Sequence, residues 1–202
     1  MDIKIKYLSK DVKRITINPK GDWIDLYASE HTLIPYNTSK LVPLGITVAL
    51  PEGYEGHLLP RSSTFKTWGI LMANSMGIID NSYCGEDDEW KFPAFSARPR
   101  LYERFESDMH PSGYVYEAVP LSKNMNIYSA ILEGEPNYVD GLYDIYDKYN
   151  ALDGVYFFGS IVSKGDKICQ FRVVEKMPPI NLIEVDTMPS PSRGGFGSTG
   201  SK

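Results

Sequence analysis

Apolar residues in this chain fall in short runs and in strict alternation, and only once at helical spacing. Ile3, Ile5 and Tyr7 alternate with lysines, the pattern of a half-exposed first strand. Further strands are predicted over 24–28, 44–50, 56–59, 77–80, 90–97, 113–119, 125–132, 155–162 and 167–174. Pro51-Glu52-Gly53 stops the 44–50 strand, and Ser163-Lys164-Gly165-Asp166 joins the last two. Pro93 falls inside the 90–97 run and places that strand at an edge or a bulge. Residues 141–150 break the rhythm: Leu142, Ile145, Tyr146 and Tyr149 stand at i, i+3, i+4 and i+7, which predicts one face of a short helix.

Many short strands between turns point to an all-β barrel or sandwich. The 202 residues suffice for one domain, or one domain with an insertion, and for a real core. A net charge of -5 disfavours a broad nucleic-acid-binding surface. The two cysteines, Cys84 and Cys169, lie far apart with no metal-ligand spacing, and Cys169 reads as a core thiol. The N-terminal MDIKIKYLSK lacks an apolar signal stretch, and no run reaches membrane-spanning length. A soluble, cytoplasmic protein is expected.

Two stretches carry candidate chemistry. The first, 58–86, sets an Arg61-Ser62-Ser63 turn, an Asn74 and an Asp80-Asn81-Ser82-Tyr83 corner between apolar runs too short for helices. It reads as a strand ending in an anion-binding turn, then a buried strand delivering a carboxylate to a loop, where function tends to sit. The second is the Gly-rich tail from Met188. Arg193 supplies a planar fork suited to phosphate, the glycines allow close backbone approach to an anion, and Ser198 and Thr199 add hydroxyls. Phe196 offers a stacking face, and stacking a base on it is worth about 1–3 kcal/mol. Such a segment suits a mobile lid that closes over a nucleotide.

Five stretches in order carry a family resemblance: Trp23-Ile-Asp-Leu-Tyr-Ala28, Pro60-Arg-Ser-Ser63, Gly77-Ile-Ile-Asp-Asn-Ser-Tyr-Cys-Gly85 preceded by Asn74, Gly165-Asp-Lys-Ile-Cys-Gln170, and Arg193-Gly-Gly-Phe-Gly-Ser-Thr-Gly200. The chain resembles the trimeric all-β dUTP diphosphatases (dUTPases). The resemblance implies a β-barrel or jelly-roll core over 1–97 and 156–187, an insertion over 98–155 holding the short helix, and a lid over 188–202.

It also implies a reaction, Mg²⁺-dependent hydrolysis of dUTP to dUMP and pyrophosphate. Asp80 would activate the water that attacks the α-phosphate. Tyr83 would pack under the deoxyribose and exclude a 2′-hydroxyl. Asn74, with the backbone of Ile78 and Ile79, would read uracil, whose donor–acceptor edge cytosine reverses. Arg61, Ser62, Ser63 and Gln170 would hold the phosphates, and Arg193, Phe196, Ser198 and Thr199 would close the lid. Asp25 would support the waters of the Mg²⁺ ion or the phosphate-binding arginine. The implied partners are dUTP and two further copies of the chain exchanging tails, with neither nucleic acid nor membrane, and the insertion is a candidate surface for a protein partner.

The chain departs from the family in having Trp23 where a glycine is usual, a short spacing between Arg193 and Phe196, and the acidic run Glu86-Asp87-Asp88-Glu89. Two other readings compete. One is a dCTP deaminase-like enzyme, which shares the fold and the Arg-Ser-Ser turn but needs a general acid/base glutamate not evident after Gly85. The other is a nucleotide-responsive regulator that uses the insertion to hold its partner.

Overall fold

The computed structural model describes residues 1–109, 113–118, 138–139, 142–146 and 153–192. The first strands are β1 (Lys4–Tyr7), β2 (Ile24–Tyr27), β3 (Thr32–Pro35), β4 (Ser39–Pro43), β5 (Ile46–Ala49) and β6 (Tyr54–Pro60). A single turn and a half of helix follows, α1 (Thr64–Trp68), then β7 (Ile70–Met72), β8 (Gly77–Asp80) and β9 (Lys91–Ser96). The remaining strands are β10 (Arg100–Glu106), β11 (Tyr114–Ala118), β12 (Tyr138–Val139), β13 (Leu142–Tyr146), β14 (Asp153–Val162) and β15 (Lys167–Glu175). The all-β expectation holds.

The strands form a sheet in the order β2-β15-β6-β8, a second in the order β4-β9-β7, and a β1-β5 pair. Alternate positions of these strands meet in one core. Trp90, Phe92, Phe171, Leu26, Ile34, Leu44, Ile46, Leu58 and Ile70 are almost wholly buried there. Trp90 and Phe171 pack edge to face with ring centroids 5.2 Å apart, a favoured aromatic geometry. The Trp90 indole nitrogen is buried without a partner among the described residues.

The inserted strands form a sheet of their own, β11-β10-β14-β13-β12, which joins the core through β14. The first part of β14 pairs with β10 on one edge and β13 on the other, and its last four residues pair with β3. Tyr102 and Tyr116 gather around the fully buried Phe157 and give this sheet its own small aromatic cluster.

Two expectations are corrected. The short helix predicted over 141–150 is not formed at 142–146, which is strand β13, paired from Leu142↔Phe157 to Tyr146↔Asp153; residues 141 and 147–150 lie outside the described residues. Leu, Tyr and Ile satisfy both periodicities over so short a run, and the open edge of β14 supplies the hydrogen bonds that decide between them. Strand β9, with its Pro93, is the middle strand of its sheet rather than an edge. The missing N–H costs a single bond just past the end of the three-residue β7: Pro93 faces Ala73, whose N–H still donates to the Pro93 carbonyl at 2.8 Å. The strand predicted over 125–132 lies outside the described residues.

Candidate active site

Strand pairing brings Asp25, Gln170 and Leu59 side by side across β2, β15 and β6. One step beyond, the chain leaves β6 at Pro60 and turns through Arg61-Ser62-Ser63 into α1. Thr64, fully buried, locks this turn: its hydroxyl accepts from Arg61 N at 2.9 Å and donates to the Ile168 carbonyl at 2.7 Å. The Gln170 amide donates to the Pro60 carbonyl at 3.2 Å. A turn held by side-chain bonds on both sides keeps its backbone N–H groups pointed in fixed directions, as anion binding requires.

The charges are equally fixed. Arg61 Nε donates to Asp25 Oδ1 at 2.7 Å, and Lys167 Nζ reaches Asp25 Oδ2 at 3.1 Å. Two cations therefore share one carboxylate, and a net positive charge remains beside the turn. Burial pushes the Cys169 thiol, directly beneath, well above its usual range; Asp25 adds to the rise and Arg61 opposes it. It is an inert core thiol, as the sequence suggests. Ser62 is exposed and Ser63, half-buried, does not cap α1 with its hydroxyl, so neither side chain is committed to the helix.

A second group of residues lines a pocket of about 350 Å³ between β8, β9 and β4. Asn74, Gly77, Ile78, Ile79 and Tyr83 line it, joined by Leu41, Leu58, Met72, Glu89, Trp90, Lys91 and Pro93. The β8 backbone is close-packed behind: a Cβ on Gly77 would stand 3.2 Å from that of Leu58. Ser75 takes a left-handed turn, φ 64°, that presents Asn74 at the mouth. The Asp80 carbonyl accepts from Tyr83 N at 3.1 Å and closes the corner, while the Tyr83 hydroxyl donates to the Glu89 carbonyl at 3.2 Å. Asp80 is exposed, and its carboxylate has no ion pair among the described residues.

The sequence-predicted residues thus form two groups. Asp25, Arg61, Ser62, Ser63 and Gln170 make one; Asn74, Ile78, Ile79, Tyr83 and the nearby Asp80 make the other. They do not meet within one chain. Asp80 stands opposite Glu55 on β6, and Arg61 follows six residues later, just past the end of that strand, so at the usual rise the two are about 20 Å apart. Arg193, Phe196, Ser198 and Thr199 lie outside the described residues.

Reasoning from sequence missed Lys167, α1 and the floor of the pocket. Lys167 sits beside Ile168 in the fourth stretch, opposite Tyr27 in the ladder, and only its side-chain bond to Asp25 marks it out. Glu89 and Lys91 border the pocket with their charged groups 3.7 Å apart, and Glu89 also accepts from Gly45 N at 2.9 Å. Of the acidic run 86–89, Glu89 at least is therefore structural rather than a solvated turn.

Comparison with known proteins decides the family. The dUTPase family model matches residues 12–88. The chain is 38% identical over its full length, and over the full length of the relative, to the SPbeta prophage-derived deoxyuridine 5′-triphosphate nucleotidohydrolase YosS of Bacillus subtilis (strain 168).

The chain belongs to the dUTPase family.

The deoxyuridine 5′-triphosphate nucleotidohydrolase of Syntrophotalea carbinolica is 37% identical over 87 residues, 42% of this chain and 59% of that protein. Among solved structures, a mutant of the Staphylococcus bacteriophage 80alpha dUTPase with dUpNHpp superposes with a TM-score of 0.62 at 20% identity, covering 99% of each chain. The dUTPase from phage phi11 of S. aureus, described with a species-specific insert, gives 0.56 at 16% identity over 94% of this chain and 99% of that one. The dUTPase fold therefore extends through the inserted strands. No helix among the described residues is long and apolar enough to cross a membrane.

Proposed function

We propose that this dUTPase hydrolyses dUTP to dUMP and pyrophosphate, with Asp80 activating the attacking water at the α-phosphate. The observation that carries the reading is the 38% identity across the whole of a deoxyuridine triphosphate nucleotidohydrolase, joined to a pocket lined by Asn74, Ile78, Ile79 and Tyr83. Asn74 offers a donor and an acceptor at its mouth. Cytosine in that pocket would leave buried polar groups unpaired, which is the strongest source of discrimination available to a rigid site. Tyr83 lines the same pocket, where its ring would pack against a deoxyribose, and Asp80 ends β8 close by.

The Arg61-Ser62-Ser63 turn, with Lys167 and Gln170 behind it, supports binding of the triphosphate. Its distance from Asp80 favours a site assembled from more than one copy of the chain, and we take the assembly to be the homotrimer that the family resemblance implies, with Arg193, Phe196, Ser198 and Thr199 of the tail closing over the nucleotide.

The phi11 dUTPase was solved with a structural Mg(II) ion. Among the described residues of this chain, no three His, Cys, Asp or Glu groups cluster to hold a metal. That donor set fits an Mg²⁺ ion liganded mainly by the substrate phosphates and water, with Asp25 accepting from a water on a lone pair left free by Arg61 and Lys167. Mg²⁺ bound in this way would neutralise charge on the phosphates. Phe105 and Tyr114, exposed beside Arg104 on the inserted strands, offer the aromatic and cationic surface a protein partner would use.

The test is a screen of dUTP, dCTP, dTTP and UTP with and without Mg²⁺, reading both pyrophosphate and ammonia. Pyrophosphate from dUTP alone is expected. Ammonia from dCTP would instead identify a deaminase of the same fold.

A further inference from the structure

Helix α1 is too short to be stable by itself; helices below about 12 residues are marginal in water. Its place is set by what grips it, and three contacts do. At its start, Thr64 ties the Arg61 turn to β15 through the Ile168 carbonyl. At its last residue, the Trp68 indole donates to Asp166 Oδ2 at 3.0 Å. Just past its end, the Gly69 carbonyl accepts from both Ala97 N at 3.0 Å and Arg98 N at 2.9 Å. Gly69 is in the left-handed region, φ 69°, and a Cβ there would stand 2.0 Å from the Arg98 carbonyl oxygen.

These contacts converge on the two roots of the inserted sheet. Ala97 and Arg98 are the residues by which the chain enters β10. Asp166 closes the turn by which it leaves β14: its Oδ2 also accepts from Ser163 N at 2.8 Å, and its own N–H donates to the Ser163 carbonyl at 3.0 Å. The next residue is Lys167, which holds Asp25 and through it Arg61. A closed circuit therefore runs from the insertion, through Gly69 and Trp68, to the anion-binding turn and back through Asp166 and Lys167.

We propose that Trp68, acting through Asp166, is a positioning residue that ties the phosphate-binding turn to both roots of the inserted sheet. The inference rests on the reading of Arg61-Ser62-Ser63 as the phosphate site. Trp68 touches no substrate; its indole fixes α1, and α1 fixes the direction of the N–H groups at its entrance. Binding of a triphosphate on the turn tightens the roots, and loosening the roots weakens the triphosphate end while leaving the uracil end, held by the Leu58–Gly77 pairing of β6 and β8 rather than by α1, intact.

The experiment measures binding of dUpNHpp and of dUMP to the full chain by calorimetry, alongside amide hydrogen exchange. Trp68→Phe keeps the apolar bulk and removes the donor. It should weaken dUpNHpp fivefold or more and dUMP less than twofold. Asp166→Asn, which keeps an acceptor oxygen, should stay within about twofold of the parent for both, whereas Asp166→Ala should match Trp68→Phe, and the double variant should be no weaker than either single one. In the parent, dUpNHpp should slow exchange at the Ala97, Arg98 and Ser163 amides, and Trp68→Phe should remove that protection. Equal losses for both ligands, no loss for either, or ligand-independent exchange at those three amides would each overturn the proposal. Arg61→Ala separates it from the reading beneath it. If that variant binds dUpNHpp normally, the phosphate site itself is misassigned; if it fails to bind while Trp68→Phe binds normally, only the positioning role falls.

Discussion

Arg61 and Asp25, 36 residues apart, meet at 2.7 Å across two strands, and Lys167 holds the other oxygen of the same carboxylate. The pair is a partly exposed one, with side chains 30% and 22% accessible, so its worth lies in orientation more than in stability. Asp25→Asn should leave the fold and dUMP binding intact. Screened by solvent, the lost charge-assisted bonds are worth about 1 kcal/mol, or roughly fivefold in dUpNHpp affinity. Titration calorimetry reads this directly, and an unchanged affinity would remove Asp25 from the support of Arg61.

Asp80 is exposed at the end of β8 and unpaired among the described residues. Asp80→Asn preserves shape and removes the proposed base. Turnover of dUTP should fall by about 10²–10⁴-fold, with dUpNHpp affinity within a few-fold of the parent. Pyrophosphate release at near-parental rate would assign the base elsewhere.

Truncation after Met188 removes Arg193, Phe196, Ser198 and Thr199 together. The buried core runs from Val12 to Phe171, so the thermal midpoint should hold while kcat/KM for dUTP drops by about fivefold or more, the effect of losing a stack worth about 1–3 kcal/mol. Steady-state kinetics on the shortened chain that match the parent would rule out a lid.

Gly69→Ala should be among the most damaging single methyl additions in the chain. It forces a Cβ into the left-handed region and to within 2.0 Å of the Arg98 carbonyl oxygen. The conformational term is about 1–2 kcal/mol, and with the displaced backbone a total near 3 kcal/mol is expected, lowering Tm by about 6–12 °C. Differential scanning fluorimetry checks it; a shift under 2 °C would mean the β9–β10 junction yields freely.

The two thiols should differ. Cys84 is exposed and Cys169 buried, so one equivalent of a thiol reagent should react quickly and the second only on unfolding. Because burial raises the Cys169 thiol above the usual 9.0, an unfolded chain ionises it first as pH climbs. Stability is therefore insensitive to this group below pH 9 and declines above it. Urea midpoints at pH 8 and pH 10, compared between the parent and Cys169→Ala, should show a smaller alkaline loss in the variant.

Much of this was legible in the residues. Alternation marked β1, and apolar runs bounded by turns marked β2, β8 and β15, because those strands bury one face against the core. The two groups around Arg61 and Asn74 were legible because polar residues set between short apolar runs stand out. What failed was local ambiguity resolved at long range. Leu142–Tyr146 fits a helix or a strand until β14 offers an edge. Pro93 argues against a central strand until β7 stops beside it. Lys167 is one lysine among many until the fold brings its side chain to Asp25. Helix α1 was missed because five residues carry too little periodicity to be seen.

Strand β14 runs unbroken for ten residues, from the inserted sheet at Asp153 to the partnership with β3 at Val162. Core and insertion thus share a spine rather than a hinge, and a border drawn at residue 155 would cut that spine in its first half. Such a layout is what lengthening an existing strand produces, as opposed to splicing in a finished module, and anyone replacing the lobe with a short loop must keep Gly159 to Val162 to avoid leaving β3 with a raw edge.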